Sequence, residues 1–267
     1  MSSGLDLAFW QRLLPDADHR FQMHLRPGDA TRFWQPTSAS GDILAERTRW
    51  LAETPGRYLC VQEEAAAAIS EVAEAVGHAG ATAATLATVI EPDWLVLAGD
   101  ESRFFPVIAG AVLFPSGWAL EEKIGLPLHV VHGPVPGLQS ALGSQIARFL
   151  AKLAPQAAWE RDNWGLSADP GLNHHPALLF PRLDAQATLS STWLRLEQQI
   201  LQRLPRTGAV LFGIRVTNHR LDQLMTTHPT LAPRLIRALE TMDRATAEYK
   251  GLATARGTLA EQLRQFE

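Results

Sequence analysis

The chain has 267 residues, of which 46% are hydrophobic, which is enough to bury the core of one large domain or two small ones. Its formal net charge of -4 provides no basic field for nucleic acid or an anionic membrane, so neither is an expected partner. The single cysteine, Cys60, excludes an internal disulfide, a four-cysteine iron–sulfur centre, a zinc ribbon and a covalent CxxCH haem site. Residues 1–14 lack a secretory signal pattern and no apolar run has membrane-helix length, so we expect a cytoplasmic protein.

The N-terminal third alternates between polar stretches and short apolar patterns. Residues 1–41 are polar and interrupted by prolines, which predicts an extended arm on the domain surface. Residues 42–52 place their apolar side chains on one side and predict a helix, and residues 57–62 predict the first strand. The alanine-rich stretch 63–76 predicts a second helix, whereas the small residues of 80–90 fit either a loop or a helix.

Two apolar runs in the middle of the chain predict an antiparallel hairpin. Residues 94–97 and 104–113 are the strands, and the polar residues 99–103 form the turn between them. The hairpin delivers the chain to the segment 114–137, which is rich in glycine, proline and aromatic residues.

Within segment 114–137, the pattern predicts two short helical pieces. Residues 118–124 form one or two helical turns that Gly125 ends. A second short helix begins at Pro127, because a first-turn position needs no amide donor. His132 lies at its C-terminal end, where the helix dipole favours a cation or a metal centre.

The remaining elements follow the same kinds of signal. They are predicted as a helix over 137–152, a loop or irregular strand over 159–176, short strands over 178–183 and 193–196, a helix over 198–204, a strand over 209–216, and helices from 222 onward.

Antiparallel strands with helices inserted between them predict an α+β fold. No internal repeat or low-complexity linker divides the chain. We therefore expect an N-terminal arm over residues 1–41, one domain over 42–221, and a helical C-terminal appendage over 222–267 packed on the same domain.

Three blocks of sequence, in order along the chain, carry a resemblance to a known family. They are FPSGW, EKIG and HGPVP within 114–136, RDNW and LNHHP within 161–176, and LRLEQQILQRLPRTGAVLFGIR over 194–215. Together they resemble the signature of the haem-dependent oxidative N-demethylase alpha-subunit family, and three ordered blocks are more specific than one short motif. The chain departs from the family pattern at Gln198, Ile200 and the pair Val216 and Thr217.

The resemblance implies a PAS-like antiparallel sheet that holds haem b and its iron. It implies a monooxygenase-type oxidative N-demethylation of a small methylated amine, in which O2 is consumed and formaldehyde is released. It also implies a partner reductase carrying flavin, an iron–sulfur centre and NADPH, since this chain has neither a dinucleotide motif nor the cysteines for a cluster. The alternative is a PAS-like sensor of haem or a small ligand, or a non-catalytic subunit, which the departures from the family pattern leave open.

His132 is the first candidate for the axial iron ligand, because neutral imidazole suits iron. Glu121 or Glu122 is a possible acceptor for its other ring nitrogen. The alternative is a buried histidine that satisfies backbone groups. His174 and His175 are rival ligands, with His175 retained as a cofactor-binding candidate; neighbours on an extended chain point in different directions, so at most one would face the iron.

Haem propionates require cations, and four basic residues lie inside the matching blocks: Lys123, Arg161, Arg195 and Arg215. For Arg215, an internal ion pair with Glu197 is an equally good explanation, since a charged residue on an apolar strand needs a partner.

A small amine needs an aromatic wall for its cation and one hydrogen-bond acceptor. Trp118 and Trp164, with Arg161 and Asn163, are the residues predicted to line that substrate pocket. The alternative is that these tryptophans only anchor their loops.

Overall fold

The computed structural model describes residues 5–155 and 157–266, and this part of the chain has an α+β fold built on one antiparallel sheet. Seven strands lie in the order β1-β5-β6-β7-β3-β4-β2. In chain order the strands are β1 (Arg26–Pro27), β2 (Leu59–Val61), β3 (Asp93–Leu97), β4 (Val107–Ala111), β5 (Ala158–Ser167), β6 (Trp193–Arg203) and β7 (Val210–Arg220). The predicted α+β class is confirmed.

Helices precede, interrupt and follow the strands. They are α1 (Leu7–Leu13), α2 (Ala30–Phe33), α3 (Ser40–Glu53), α4 (Pro55–Tyr58), α5 (Ala66–Ala75), α6 (Ala83–Val89), α7 (Leu128–Val131), α8 (Leu138–Lys152), α9 (Leu221–Thr227), α10 (Ala232–Thr241), α11 (Arg244–Tyr249) and α12 (Arg256–Leu263). None of the helices in the described ranges combines the length and apolar character needed to cross a membrane.

The centre of the sheet is a three-stranded meander of β5, β6 and β7. Strand β6 pairs with both neighbours, so the predicted strand over 193–196 is confirmed as its first half, and the predicted helix over 198–204 is wrong because the strand continues through Arg203. Its side chains alternate: Leu194, Leu196 and Ile200 are fully buried on one face. Polar side chains therefore occupy the other face of the same strand.

Several predictions near the sheet are confirmed. The hairpin of β3 and β4 forms as an antiparallel pair, and the helices over 42–52 and 137–152 appear as α3 and α8. The undecided stretch 80–90 contains α6, which Thr82 caps by accepting a hydrogen bond from the amide of Thr85. The predicted strand over 178–183 is wrong, because those residues form no regular element.

The N-terminal residues are more structured than a surface arm. Helix α1 buries Phe9 and Trp10 in a hydrophobic cluster with the C-terminal helices. Phe33 of α2 and Trp34, which follows it, lie within 3 Å of the position of a Cβ at Gly213 of β7, on the face of the sheet that buries Ile200. The described part of 1–41 is therefore integrated into the fold.

Segment 114–137 crosses the opposite face of the sheet. Residues 118–124 form a hydrogen-bonded turn around Leu120 and Ile124 in place of a regular helix, and Gly125 ends it at a φ of 79°. The second short helix, α7, begins as predicted at Pro127, which occupies its N-cap position, and a left-handed Gly137 leads into α8. These turns bring α7 and α8 to the side of the sheet that carries the polar row of β6.

Candidate functional site

The start of segment 114–137 is held rigidly to the sheet from two directions. Asp93, at the start of β3, accepts hydrogen bonds from the amides of Leu113 and Phe114 at 2.8 and 2.9 Å. Arg195, on β6, donates through Nη2 to the carbonyls of Phe114 at 2.9 Å and Leu172 at 2.7 Å. Arg195 thereby joins the loop that begins at Phe114 to the loop that contains Leu172 at the sheet surface.

The hydrogen-bond donors of Arg195 are used in holding these two loops. Its side chain is buried, its Nε donates to the Ser116 hydroxyl at 2.8 Å, and its Nη1 donates to the Gly171 carbonyl at 3.3 Å. Each guanidinium nitrogen therefore already has an acceptor inside the protein. Its predicted role, a contact with a haem propionate, would require breaking some of these bonds.

Glu197 lies two residues further along β6, on the same face. One carboxylate oxygen accepts from the Ser116 hydroxyl at 2.5 Å, and the other accepts from Asn163 Nδ2 at 3.2 Å and Gln199 Nε2 at 2.8 Å. Among the described residues, no lysine or arginine nitrogen lies within ion-pair distance of this carboxylate. Neutral donors thus fix Glu197 in place and leave its charge without a paired cation.

A polar cleft of about 370 Å³ lies in front of Glu197. The residues that line it include Trp118, Asn163, Trp164, Glu197, Tyr249 and Lys250. Three of the four predicted substrate residues thus line one cleft. Arg161 lines a neighbouring cavity of about 180 Å³, which shares Asn163, Trp164 and Lys250 with the polar cleft.

His132 lies at the C-terminal end of α7 and lines a separate, mainly apolar cavity of about 350 Å³. The other walls include Phe104, Phe105, Leu128 and Ile146. Neither ring nitrogen of His132 has a hydrogen-bond partner within residues 5–155 and 157–266. Burial, and secondarily the positive charge of Arg161, lowers the pKa of His132 to about 4, so the ring is neutral near pH 7 and able to bind a metal.

The ring nitrogens of His175 are both occupied. Nε2 lies 3.1 Å from Glu121 Oε1, and Nδ1 accepts from the Ala177 amide at 3.1 Å. The suggestion that Glu121 orients His132 is therefore wrong, because its carboxylate contacts His175.

His174 has a different environment and lines the polar cleft. Its ring stacks on Phe180 with centroids 4.4 Å apart, and its Nε2 lies 3.4 Å from Asp169 Oδ1. Neither His174 nor His175 lines the apolar cavity that contains His132.

Arg215 lies on the opposite face of the sheet from Glu197. The register pairs Arg215 with Gln198 and Glu197 with Val216, so the side chains of Arg215 and Glu197 point to opposite sides. Arg215 forms its ion pair with Glu91 instead, and an ion pair with Glu197 is excluded.

The remaining two cations differ in their surroundings. Lys123 lines neither the polar cleft nor the apolar cavity. Arg161 has no hydrogen bond or ion pair within the described part of the chain, and its Nε is buried without a partner. Burial lowers the pKa of Arg161, and the charges of Glu197 and Asp162 act in the opposite direction.

Among the cleft residues that sequence reasoning missed are Glu197 as a cleft carboxylate, Arg182, Tyr249 and Lys250. The alternation of apolar and polar residues along β6 is the signal that could have identified Glu197. Tyr249 and Lys250 lie at the end of α11, outside every motif, and no local pattern indicates them.

Comparison with known families supports the resemblance carried by the three sequence blocks. A profile of the family described as haem-dependent oxidative N-demethylase, alpha subunit-like, matches residues 78–260. The match covers β3 to β7, the segment with His132, and the helix end with Lys250. More than half of the chain is matched, and the resemblance found in the sequence blocks is confirmed: the chain belongs to the haem-dependent oxidative N-demethylase, alpha subunit-like family.

Proposed function

We propose that this chain binds haem b with His132 as the iron ligand, and that the polar cleft in front of Glu197 binds a small methylated amine whose methyl group is removed oxidatively. Membership of the family supports the reaction class. The observation that carries the assignment is the neutral His132 ring, which lines an apolar cavity with both nitrogens unengaged.

The apolar walls of the cavity and the neutral ring of His132 support this proposal. The macrocycle needs apolar walls and an axial nitrogen, and its propionates need cations. The cavity supplies the first two, and Arg161, which lines the cavity of about 180 Å³ and whose positive charge lowers the pKa of His132, would supply a cation without a protein partner. Arg161 is therefore our preferred propionate partner over Arg195 and Arg215, whose guanidinium groups are already engaged.

Bound haem would supply the activation of O2. In the overall reaction the amine, O2, two electrons and two protons give the demethylated amine, formaldehyde and water. The O–O bond breaks, a C–O bond replaces one C–H bond of the methyl group, and the C–N bond then breaks, with the nitrogen keeping a proton. The family description names an alpha subunit, which implies a partner subunit. We propose that this partner is a reductase, carrying flavin, an iron–sulfur centre and NADPH, that delivers the electrons.

The chain's own side chains bind and orient the amine. Glu197 would accept a hydrogen bond from the ammonium group, since its oxygens are held by neutral donors. The rings of Trp118 and Trp164 line the same cleft and would contact the methyl groups and the cation. Asn163 would keep the Glu197 carboxylate in its orientation.

The ligand assignment is tested by visible absorption after haem reconstitution. The wild-type protein should give a Soret band of a histidine-ligated haem, and His132→Ala should lose that signature. His129→Ala is the matched control, because His129 lines the same cavity but is exposed and packs edge-on against Phe104 at 5.0 Å. An unchanged ligated spectrum in His132→Ala would transfer the ligand role to His174 or His175.

Catalysis is tested separately by amine-dependent formaldehyde release with a chemical reductant under O2. Formaldehyde should appear with the wild-type protein and fail to appear without the amine. A haem protein that binds amine or gas ligands and releases no formaldehyde would instead support the sensor or non-catalytic subunit.

A further inference from the structure

We infer that the amine taken by this chain carries a carboxylate, as an N-methylated amino acid does, and that Lys250 binds that carboxylate. The inference rests on the proposed function, because it names the substrate class of the same cleft. Three observations carry it: the surroundings of Lys250, the placement of Arg182, and the balance of unpaired charge in the cleft.

Lys250 presents an ammonium group to the cleft without a counter-ion. Nζ donates to the Trp164 carbonyl at 2.9 Å and lies 5.5 Å from the centroid of the Trp164 ring. Within the described residues no carboxylate lies at ion-pair distance from it. Burial lowers the pKa of Lys250, with the charge of Glu197 acting in the opposite direction. An ammonium group held this way is costly unless an anion completes its surroundings.

Arg182 is a second cation on the cleft wall, and its guanidinium group lies over the ring of Phe180. Its guanidinium carbon lies 4.1 Å from the centroid of Phe180, whose ring stacks on His174 at 4.4 Å. Arg182 forms no ion pair in the described part of the chain. The cleft therefore offers two cations that face solvent or ligand.

The other charged groups of the cleft already have their hydrogen-bonding atoms engaged within the protein. Arg195 is saturated by Ser116 and backbone carbonyls, and Glu248 forms an ion pair with Arg244 at 2.8 Å. Lys250 and Arg182 are therefore the cations of the cleft with donors left for a ligand, and within the described residues neither they nor the carboxylate of Glu197 form an ion pair.

A simple ammonium ion is a poor match for this arrangement, since it would add a positive charge beside two cations. A zwitterion satisfies all three groups. Its ammonium group meets Glu197 between the tryptophans, and its carboxylate meets Lys250 and Arg182. The cleft volume of about 370 Å³ has room for a small molecule of this kind.

Binding is the first test, because it needs no turnover. Calorimetric titration of the wild-type protein with N,N-dimethylglycine and with dimethylamine should show tighter binding of the glycine derivative. Lys250→Met should weaken N,N-dimethylglycine binding by about thirtyfold or more, as expected when one partner of a desolvated charge pair is removed. Arg182→Gln, at an exposed position where folding is not at stake, should weaken it by a smaller factor.

Lys152→Met is the matched control, because Lys152 is exposed at the end of α8 and lines neither the polar cleft nor the apolar cavity. Equal or tighter binding of dimethylamine, or N,N-dimethylglycine binding that survives both the Lys250 and the Arg182 substitution, overturns the inference. Carboxylate binding that acetate alone reproduces in full would show a general anion site and would also overturn it.

Turnover separates failure of this inference from failure of the proposed function. Reconstituted enzyme with reductant should release formaldehyde from N,N-dimethylglycine with a higher kcat/KM than from dimethylamine, and Lys250→Met should reduce that ratio. Formaldehyde from dimethylamine alone would overturn the substrate class and leave the demethylase in place. Release from neither amine, with Lys250-dependent binding intact, would overturn the reaction and leave the binding site in place.

Discussion

Arg47 and Asp93 form a completely buried ion pair, with Nη1 and Oδ1 2.6 Å apart and side chains only 0% and 1% exposed. The same carboxylate accepts the amides of Leu113 and Phe114. Burial raises the pKa of Asp93, and the charge of Arg47 with these amide donors acts in the opposite direction. The pair thus links α3 to the strand end from which segment 114–137 departs.

Asp93→Asn should lower the free energy of unfolding by about 3–5 kcal/mol, because it leaves the Arg47 guanidinium buried without its anion. Urea unfolding followed by tryptophan fluorescence measures the change. Glu53→Gln is the control: its partner Arg49 lies 3.2 Å away in a half-exposed pair, and exposed pairs contribute about 0–1 kcal/mol. Equal effects of the two substitutions would contradict this account of the buried pair.

Gly213→Ala should destabilise the protein by about 1–3 kcal/mol through overpacking. A Cβ at this position of β7 would lie 2.5 Å from Trp34 Cη2 and 2.9 Å from Ile200 Cγ2. Gly165→Ala on β5 is the matched control, since no atom lies within 4 Å of its Cβ position. Thermal unfolding should show a clear loss only for Gly213→Ala; a small change at both would mean that α2 moves aside freely.

Glu197→Gln should weaken amine binding by about tenfold to a hundredfold, the usual effect of losing a hydrogen bond to a charged acceptor. The amide is nearly isosteric, so folding should be preserved. Glu248→Gln provides the comparison, because Glu248 also lines the cleft but pairs with Arg244. Titration with N,N-dimethylglycine and dimethylamine measures both variants, and an equal loss in the two would remove Glu197 from the binding site.

Stability should fall as pH is lowered from 7.5 towards 5.5. Burial lowers the pKa of a group of histidines, namely His19, His24, His132, His174 and His219. The unfolded chain, whose histidines titrate near about 6.5, therefore binds more protons than the folded chain below that pH. The effect is absent well above pH 6.5 and, for His132, grows until about pH 4.

Thermal unfolding at several pH values checks this prediction. His219→Phe should reduce the slope, because it removes one of these histidines and keeps an aromatic ring against Trp10, whose centroid is 4.9 Å away. An unfolding temperature that stays constant between pH 7.5 and 5.5 would contradict the expected proton uptake.

Most helices and strands whose pattern is complete within a short stretch of sequence were predicted correctly. The hairpin of β3 and β4 and helices α3, α5 and α8 follow from apolar periodicity and turn residues. Strand β6 was mispredicted because Gln198, Gln199 and Leu201 have good helix propensity. Pairing with β5 and β7 on both sides overrides that propensity, as tertiary context often does. The PAS-like topology and the domain limits near residues 41 and 221 stay predictions.

For the site, the motifs identified residues that lie close together in the fold, among them Trp118 and Asn163. Their functional roles stay predictions. Lys250 could not be found this way, because it reaches the cleft only through the packing of the C-terminal helices against β5. The partner of Arg215 likewise depends on a contact with Glu91 far away in sequence.

Apolar and polar side chains alternate along β6, so the pairing register of β5, β6 and β7 decides which side chains reach the cleft. A shift of β6 by one residue in this register would exchange its two faces. Arg195, Glu197 and Gln199 would then point into the hydrophobic core, and Leu194 and Leu196 would point into the cleft. The turn between β6 and β7, where Arg203 donates to the Gly208 carbonyl at 2.6 Å, helps to set this register. It therefore affects substrate binding at the other end of the two strands. Substitutions in that distant turn should therefore abolish activity even though every residue of the cleft is unchanged.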